Sequence, residues 1–254
     1  MVTRFTILVL IYCLAQHVGL AEPFPLPKVS FHSGKCYLQL KRDNTPKPSL
    51  LQNEQIISEL PPYALVTAKD AFLEVKRNTE ESQTLLRLGR SSALEFQLDG
   101  SYFFIKGSAL FSSRYQNLWV IKSDSTEFKF LAEGTWLMET TPLGFKVILL
   151  EGTVLPETDE ANPTKPILPG ELALVSGQKG FVSQSLKVEL PVLLSTSRLI
   201  NIFPSPLPSQ SRLISAAQVQ SLRTKARYNA FIGGVSEDSK LRIWSPSTSK
   251  PSEE

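Results

Sequence analysis

Leu131-Ala-Glu-Gly-Thr135, Leu149-Leu-Glu-Gly-Thr153 and Ile167-Leu-Pro-Gly-Glu171 are three versions of one phrase. Their glycines, Gly134, Gly152 and Gly170, stand 18 residues apart at each step (152 − 134 and 170 − 152). Related pieces precede them, Leu98-Asp-Gly-Ser101 around Gly100 and Ile105-Lys-Gly-Ser108 around Gly107. Each glycine adjoins a run of alternating apolar residues. A short fixed period with one turn glycine and one strand per step is the pattern of stacked β-rungs. Glycine supplies the positive φ or the bulge by which the chain leaves one strand for the next. The expectation is a mainly β fold, a solenoid or double sheet of stacked short strands, with the three glycines at equivalent corners.

The surrounding chain agrees with strands. Ala93–Leu98 alternates Leu94, Phe96 and Leu98 with Glu95, Gln97 and Asp99, the period-2 pattern of a half-buried strand. Strand candidates recur every 8–12 residues or so with turn residues between them, as in sandwiches, barrels and solenoids. Ala71–Lys76 and Leu85–Leu88 read as a strand and its return around a polar tip at 78–83.

The composition changes after about Lys187. Phe203-Pro-Ser-Pro-Leu-Pro-Ser209 forbids both helix and central strand and reads as a rigid connector. Residues 211–230 switch to a helical period, with Ala216, Val219, Leu222 or Arg223, Ala226 and Ala230 on one stripe and Gly233-Gly234 beyond the end. One C-terminal helix is therefore expected. A sheet edge left open would invite strand addition, and this helix is a candidate to cover it.

The N-terminus carries Arg4, an apolar run from Phe5 to Ala15, and Gly19-Leu-Ala21 before Glu22-Pro23. That order predicts a secretory signal peptide at 1–21, cleaved between Ala21 and Glu22. The run is short of the roughly 20 residues a membrane span needs. Contact with a membrane is expected only through this segment before cleavage. Loss of Arg4 leaves 26 basic against 24 acidic residues, a net +2. That surface lacks the basic footprint of nucleic-acid binding. The expected divisions are 1–21, an all-β domain at 22–187, an extension at 188–244, and a disordered tail at 245–254.

Candidate chemistry is sparse. Cys36 and His32 are the sole Cys and His after residue 21, so neither a disulfide nor a His/Cys metal cluster is expected. No cofactor motif is present, and Ser195-Thr196-Ser197 has no Gly-x-Ser-x-Gly setting. Glu133, Glu151 and Glu171 adjoin the repeated glycines, and stacking could bring them onto one edge, as paired carboxylates are used on sugars. Solvated turn residues are the simpler reading. Tyr102, Phe103, Phe104, Trp119 and Trp136 could form a ligand platform, but residues of this kind more often fill a core.

The order of phrases resembles the FecR-like domain of bacterial envelope proteins. The residues that carry it are Leu65-Val-Thr-Ala-Lys-Asp-Ala71, Leu86-Arg-Leu-Gly-Arg-Ser-Ser-Ala-Leu94 with Gly89, Lys106-Gly-Ser-Ala-Leu110, Ala132-Glu-Gly-Thr135, Leu150-Glu-Gly-Thr-Val154 and Leu168-Pro-Gly-Glu171. They span roughly residues 29–180. The resemblance implies turn glycines at Gly89, Gly107, Gly134, Gly152 and Gly170, and Asp99-Gly100 reads as a tight turn by its own residues. It also implies a non-enzymatic periplasmic or secreted module that binds an envelope protein or polysaccharide. Only Met1–Arg4 precede the apolar run, so the anti-sigma segment of signalling members is not expected. The alternatives are a polysaccharide-binding or polysaccharide-active β-helix protein and a membrane-tethered signalling subunit with an uncleaved N-terminal helix.

Overall fold

The computed structural model describes residues 26–41, 48–78, 83–157 and 165–223, with the short pairs 230–231 and 243–244. The leader with its Ala21/Glu22 junction and the tail 245–254 lie outside the described residues. The chain is mainly β. Its strands are β1 (Lys28–Ser33), β2 (Cys36–Leu40), β3 (Ser49–Leu50), β4 (Tyr63–Thr67), β5 (Phe72–Asn78), β6 (Gln83–Leu88), β7 (Ala93–Phe96), β8 (Tyr102–Lys106), β9 (Ser108–Lys122), β10 (Glu127–Thr141), β11 (Gly144–Pro156), β12 (Glu171–Ser176), β13 (Phe181–Val182) and β14 (Leu186–Lys187). These form one large, unclosed sheet. A separate antiparallel pair joins β15 (Ala230–Phe231) to β16 (Ile243–Trp244).

Three long strands, β9 to β11, form the spine, of 15, 15 and 13 residues. They depart from the expected short rungs. One half of β9, residues 109–113, pairs with β6, and the other half, at 121–122, pairs with β8. The branch β1-β5-β6 therefore continues one half of the spine, and β3-β2-β4-β7-β8 continues the other. The sheet folds over on itself between the two halves. Phe104 of β8 stacks on Phe145 of β11 at 6.3 Å, and Tyr102 meets Phe111 of β9 at 6.0 Å. Between the layers lies a core of Leu38, Leu65, Leu73, Val75, Leu86, Leu94, Trp119, Phe130 and Trp136.

The bend runs along one line. On β10 and β11, Gly134 sits directly opposite Gly152, at φ +106° and +92°. A Cβ on Gly134 would drive into the carbonyl of Glu151 and lie 2.7 Å from the Gly152 Cα, and one on Gly152 would meet Glu133 and Gly134 reciprocally. On β9, residues 114–116 bulge out against Glu133. Ser113 Oγ donates to the Tyr115 carbonyl at 2.8 Å, and Asn117 Nδ2 donates to both groups, so the bulge is held by side chains.

This corrects the repeat. The 18-residue step from Gly134 to Gly152 is a reflection across the hairpin turn Pro142-Leu143, and both glycines lie inside strands rather than at corners. A bulge at Leu150 shifts the register by one residue and brings the two glycines opposite each other. Gly170 breaks the series: its N–H donates to the Leu149 carbonyl, so it stands short of Gly152 on the next strand. Gly100 does occupy a turn, where Ser101 donates to Asp99 Oδ1 through both its N–H and its hydroxyl. Those bonds and Lys122 hold the Asp99 carboxyl well below its usual range.

Among the described residues there are three helices rather than one: α1 (Leu190–Thr196), α2 (Arg198–Asn201) and α3 (Gln210–Arg223). They cover the outer face of the spine's first half. There Phe72, Leu85, Leu110, Leu137, Ile148, Leu150 and Leu172 pack against Leu190, Leu199, Phe203, Leu207, Leu213 and Ala217. The expected stripe on α3 is rotated. Leu213 and Ala217 are buried, while Val219 and Leu222 face out. Ala226 lies outside the described residues, and Ala230 belongs to β15.

Two predictions follow from this geometry. Gly134→Ala adds a methyl against backbone at positive φ and should lower stability by well over about 1 kcal/mol. Gly100→Ala, with nothing within 4 Å of its Cβ position, should bear only the conformational cost of about 1–2 kcal/mol. Urea melts of the two variants should rank in that order. The buried Cys36 supplies the second: burial pushes its thiol from 9.0 up to about 11. The unfolded chain then releases this proton first, so stability holds below about pH 9 and falls as the pH rises toward 11. Cys36→Ala should flatten the decline, as read from denaturation midpoints across that range.

Candidate functional site

The helical layer is fixed to the sheet by polar side chains buried in an otherwise apolar interface. Arg87 on β6 is 0% exposed and Glu74 on β5 is 1% exposed. Both point outward because the inward positions are Leu73, Val75, Leu86 and Leu88. Arg87 Nε donates to Glu74 Oε2 at 2.8 Å. Its Nη1 donates to the carbonyls of Leu199 and Ile200 at 3.0 and 3.1 Å, and its Nη2 to that of Ser205 at 2.7 Å. The guanidinium lies 4.3 Å from the Phe203 ring centroid. Ser30 Oγ donates to Glu74 Oε1 at 2.6 Å, and Lys76 Nζ lies 3.3 Å from the same oxygen. Burial lowers the Arg87 pKa, opposed by the Glu74 charge and hydrogen bond. Guanidinium is the cation suited to such a site, since its planar fork serves several acceptors at once.

A second tie lies beside the bend. The Leu150 bulge turns Glu151 outward, where its carboxylate is only 4% exposed. Thr135 Oγ1 donates to Glu151 Oε1 at 3.0 Å. A hydroxyl carries one proton, so the hydroxyls of Ser112 and Ser209, at 3.0 and 2.6 Å, are the donors to Thr135. Arg212 of α3 grips the carboxylate with Nε at 3.1 Å and Nη2 at 3.3 Å. A third tie is Gln220, whose Oε1 accepts from the Leu190 N–H while its Nε2 donates to the Val188 carbonyl, both at 2.8 Å. Glu189 gives α1 no side-chain cap, so Gln220 satisfies that helix start from a neighbouring helix.

Between α1 and α3 lies a groove of about 700 Å³. Leu194, Leu207, Leu213 and Ala217 are among its apolar lining, with Ile214 and Leu222 at the rim. Ser195, Asn201, Gln210, Gln218 and Ser221 supply its polar atoms, and among the described residues no charged side chain lines it.

The sequence-derived candidates are scattered. Glu133 is exposed opposite Thr153, Glu151 is bound to Arg212, and Glu171 accepts from Ser185 Oγ at 2.9 Å and the Leu168 N–H at 3.1 Å. Glu151 and Glu171 are each engaged by different partners. Tyr102, Phe104, Trp119 and Trp136 belong to the core or pack on it, and Phe103 is half-buried on the opposite side of β8. Ser195 and Thr196 donate back to the Val192 carbonyl within α1. Gly89 and Gly107 pack closely on Ser108 and Ser92, where β6–β9 turn from one layer to the other. The groove and Arg87 were not foreseen. A charged residue inside the near-continuous apolar run Leu85-Leu86-Arg87-Leu88 is the signal that could have exposed the latter, because it marks a strand buried on both faces.

Two of the sheet's borders, beside β1 and beside β12, are bonded by short chain segments rather than by α3. Beside β1, Val29 N–H donates to Gln55 O, Glu54 N–H to Val29 O and Ile57 N–H to Pro27 O, at 2.8–2.9 Å. Beside β12, β13 and β14 pair at either end, and Ser183 exchanges bonds with Leu174 between them. The chain matches no protein-family model, no curated protein and no solved structure in the comparisons made.

Arg87→Ala would take the donor from Glu74 Oε2 and from three carbonyls, and removing one partner of such a buried pair costs about 3–5 kcal/mol. The expected outcome is a loss of that size in chemical denaturation, with early proteolytic cleavage between residues 188 and 210. Arg87→Lys, lacking the fork, should recover only part of it.

Proposed function

We propose that this chain is a non-enzymatic, exported module of the bacterial cell envelope that works by contact, with a FecR-like double sheet as its scaffold. The observation that carries the reading is how its polar groups are spent. Arg87, Glu74, Glu151, Thr135 and Arg212, the residues a catalytic reading would want, are engaged in holding the helical layer to the sheet. What the layer turns outward is an uncharged, largely apolar groove, the form of surface that recognises an apolar protein segment. The glycine phrases and the positively charged, apolar leader support the family and export parts of the reading.

A protein partner is favoured over a polysaccharide. Glu133, Glu151 and Glu171 have separate surroundings, and the large aromatic cluster lies inside the fold, so among the described residues these candidates do not form the paired carboxylates beside exposed rings that grip sugars. Protein recovered from the envelope of its native cell should begin at Glu22 and should not turn over envelope polysaccharides. A chain that retains Arg4 overturns export with cleavage. Turnover that Glu151→Gln abolishes while the fold is retained overturns the non-enzymatic reading.

A further inference from the structure

The groove runs along α3 from Gln210 to Leu222, close to the end of the helix. Ser221 and Leu222 line its mouth, one residue from the last position of the helix. Leu222 is 87% exposed, more than any other large apolar side chain described. The chain then runs on for 31 residues, from 224 to 254. Six residues, 224–229, separate the helix from β15. At about 3.3–3.6 Å each they can reach roughly 20 Å, and a 14-residue helix is also about 21 Å long. The β15–β16 pair can therefore reach any point along the groove.

That pair needs a surface. It sets Ala230 opposite Trp244 and Phe231 opposite Ile243, two strands of two residues each, and among the described residues it joins no other strand. An isolated two-stranded ribbon is at best marginally stable in water and requires an apolar face to pack on. The four paired residues are uncharged, which suits a groove without charged lining, since burying an unpaired charge there would be costly.

We propose that the C-terminal ribbon, residues 230–244, seats in the groove between α1 and α3 of its own chain. The seat is then an intramolecular docking site, and any outside segment that enters it must displace the ribbon. The geometry holds whether or not an envelope partner competes for it.

The full-length chain reports on this directly. It has three tryptophans; Trp119 and Trp136 are buried in the core, so subtracting the signal of Trp244→Phe isolates Trp244. Acrylamide quenching of Trp244 should be several-fold weaker than in a synthetic peptide of residues 224–254, at concentrations where the protein is monomeric. Ile214→Glu and Leu222→Asp sit on side chains 49% and 87% exposed, so the fold should survive, as circular dichroism would verify. Both should restore peptide-like quenching. Peptide-like quenching in the unaltered chain overturns the proposal. Shielding that both variants leave intact also overturns it, because the ribbon then packs elsewhere. Shielding that appears only as dimers form assigns the groove to a second copy and overturns it too.

Discussion

Two glycines facing each other on neighbouring strands set the shape of this protein. With Cα atoms so close that neither tolerates a methyl group, Gly134 and Gly152 let β10 and β11 turn sharply together. The bulge at 114–116 of β9 absorbs the same turn on the third strand. The remaining strands attach to one half of the spine or the other and so find themselves in opposing layers. The register shift at Leu150 that aligns the glycines also aims Glu151 away from the core, where Arg212 can reach it. One local constraint thus places both the fold's bend and an anchor for α3.

The helical layer adds a second core on the outer face, and its buried polar groups decide how it lies there. Apolar packing is non-directional, so Phe72, Leu110 and Ile148 would accept the helices in several orientations. Arg87 removes that freedom. Its fork meets a carboxylate on one side and the carbonyls around α2 on the other, with Phe203 over its face. Cationic donors suit the carbonyl end of a helix. The desolvation of such a pair is costly, and its contribution lies in specifying one arrangement. Arg212 and Gln220 repeat the device along α3, the latter by filling the hydrogen bonds that the start of α1 lacks.

The strand alternation, the β5–β6 hairpin, the Asp99-Gly100 turn and a helix after residue 209 could be read from the sequence, because each is a local pattern. Layering could not. Gly134 and Gly152 resemble turn glycines in one dimension, and only the pairing of β10 with β11 reveals a contact between them. Helices α1 and α2 were hidden in Glu189-Leu-Pro-Val-Leu-Leu, where Pro191 argues for a break although it is well placed in a helix's first turn. The stripe on α3 was assigned to small residues. The seam instead uses Leu213, Ala217 and the half-buried polar Gln220, which bonds backbone groups supplied by another element. Arg87 failed to stand out for a related reason: besides Glu74, its partners are main-chain carbonyls more than a hundred residues away.

The mirror relation of the two central glycines also says how this chain can change length. Residues added at the hairpin tip, beside Pro142 and Leu143, would leave the pairing of Gly134 with Gly152 untouched while altering the distance between them in sequence. A single residue inserted into either arm would slide one glycine past the other and present a bulkier neighbour at the bend. Related chains should therefore tolerate insertions at the tip and resist them in the arms. The interval of eighteen is then an accident of arm length, and a search for relatives that demands it would pass over proteins built on the same hinge.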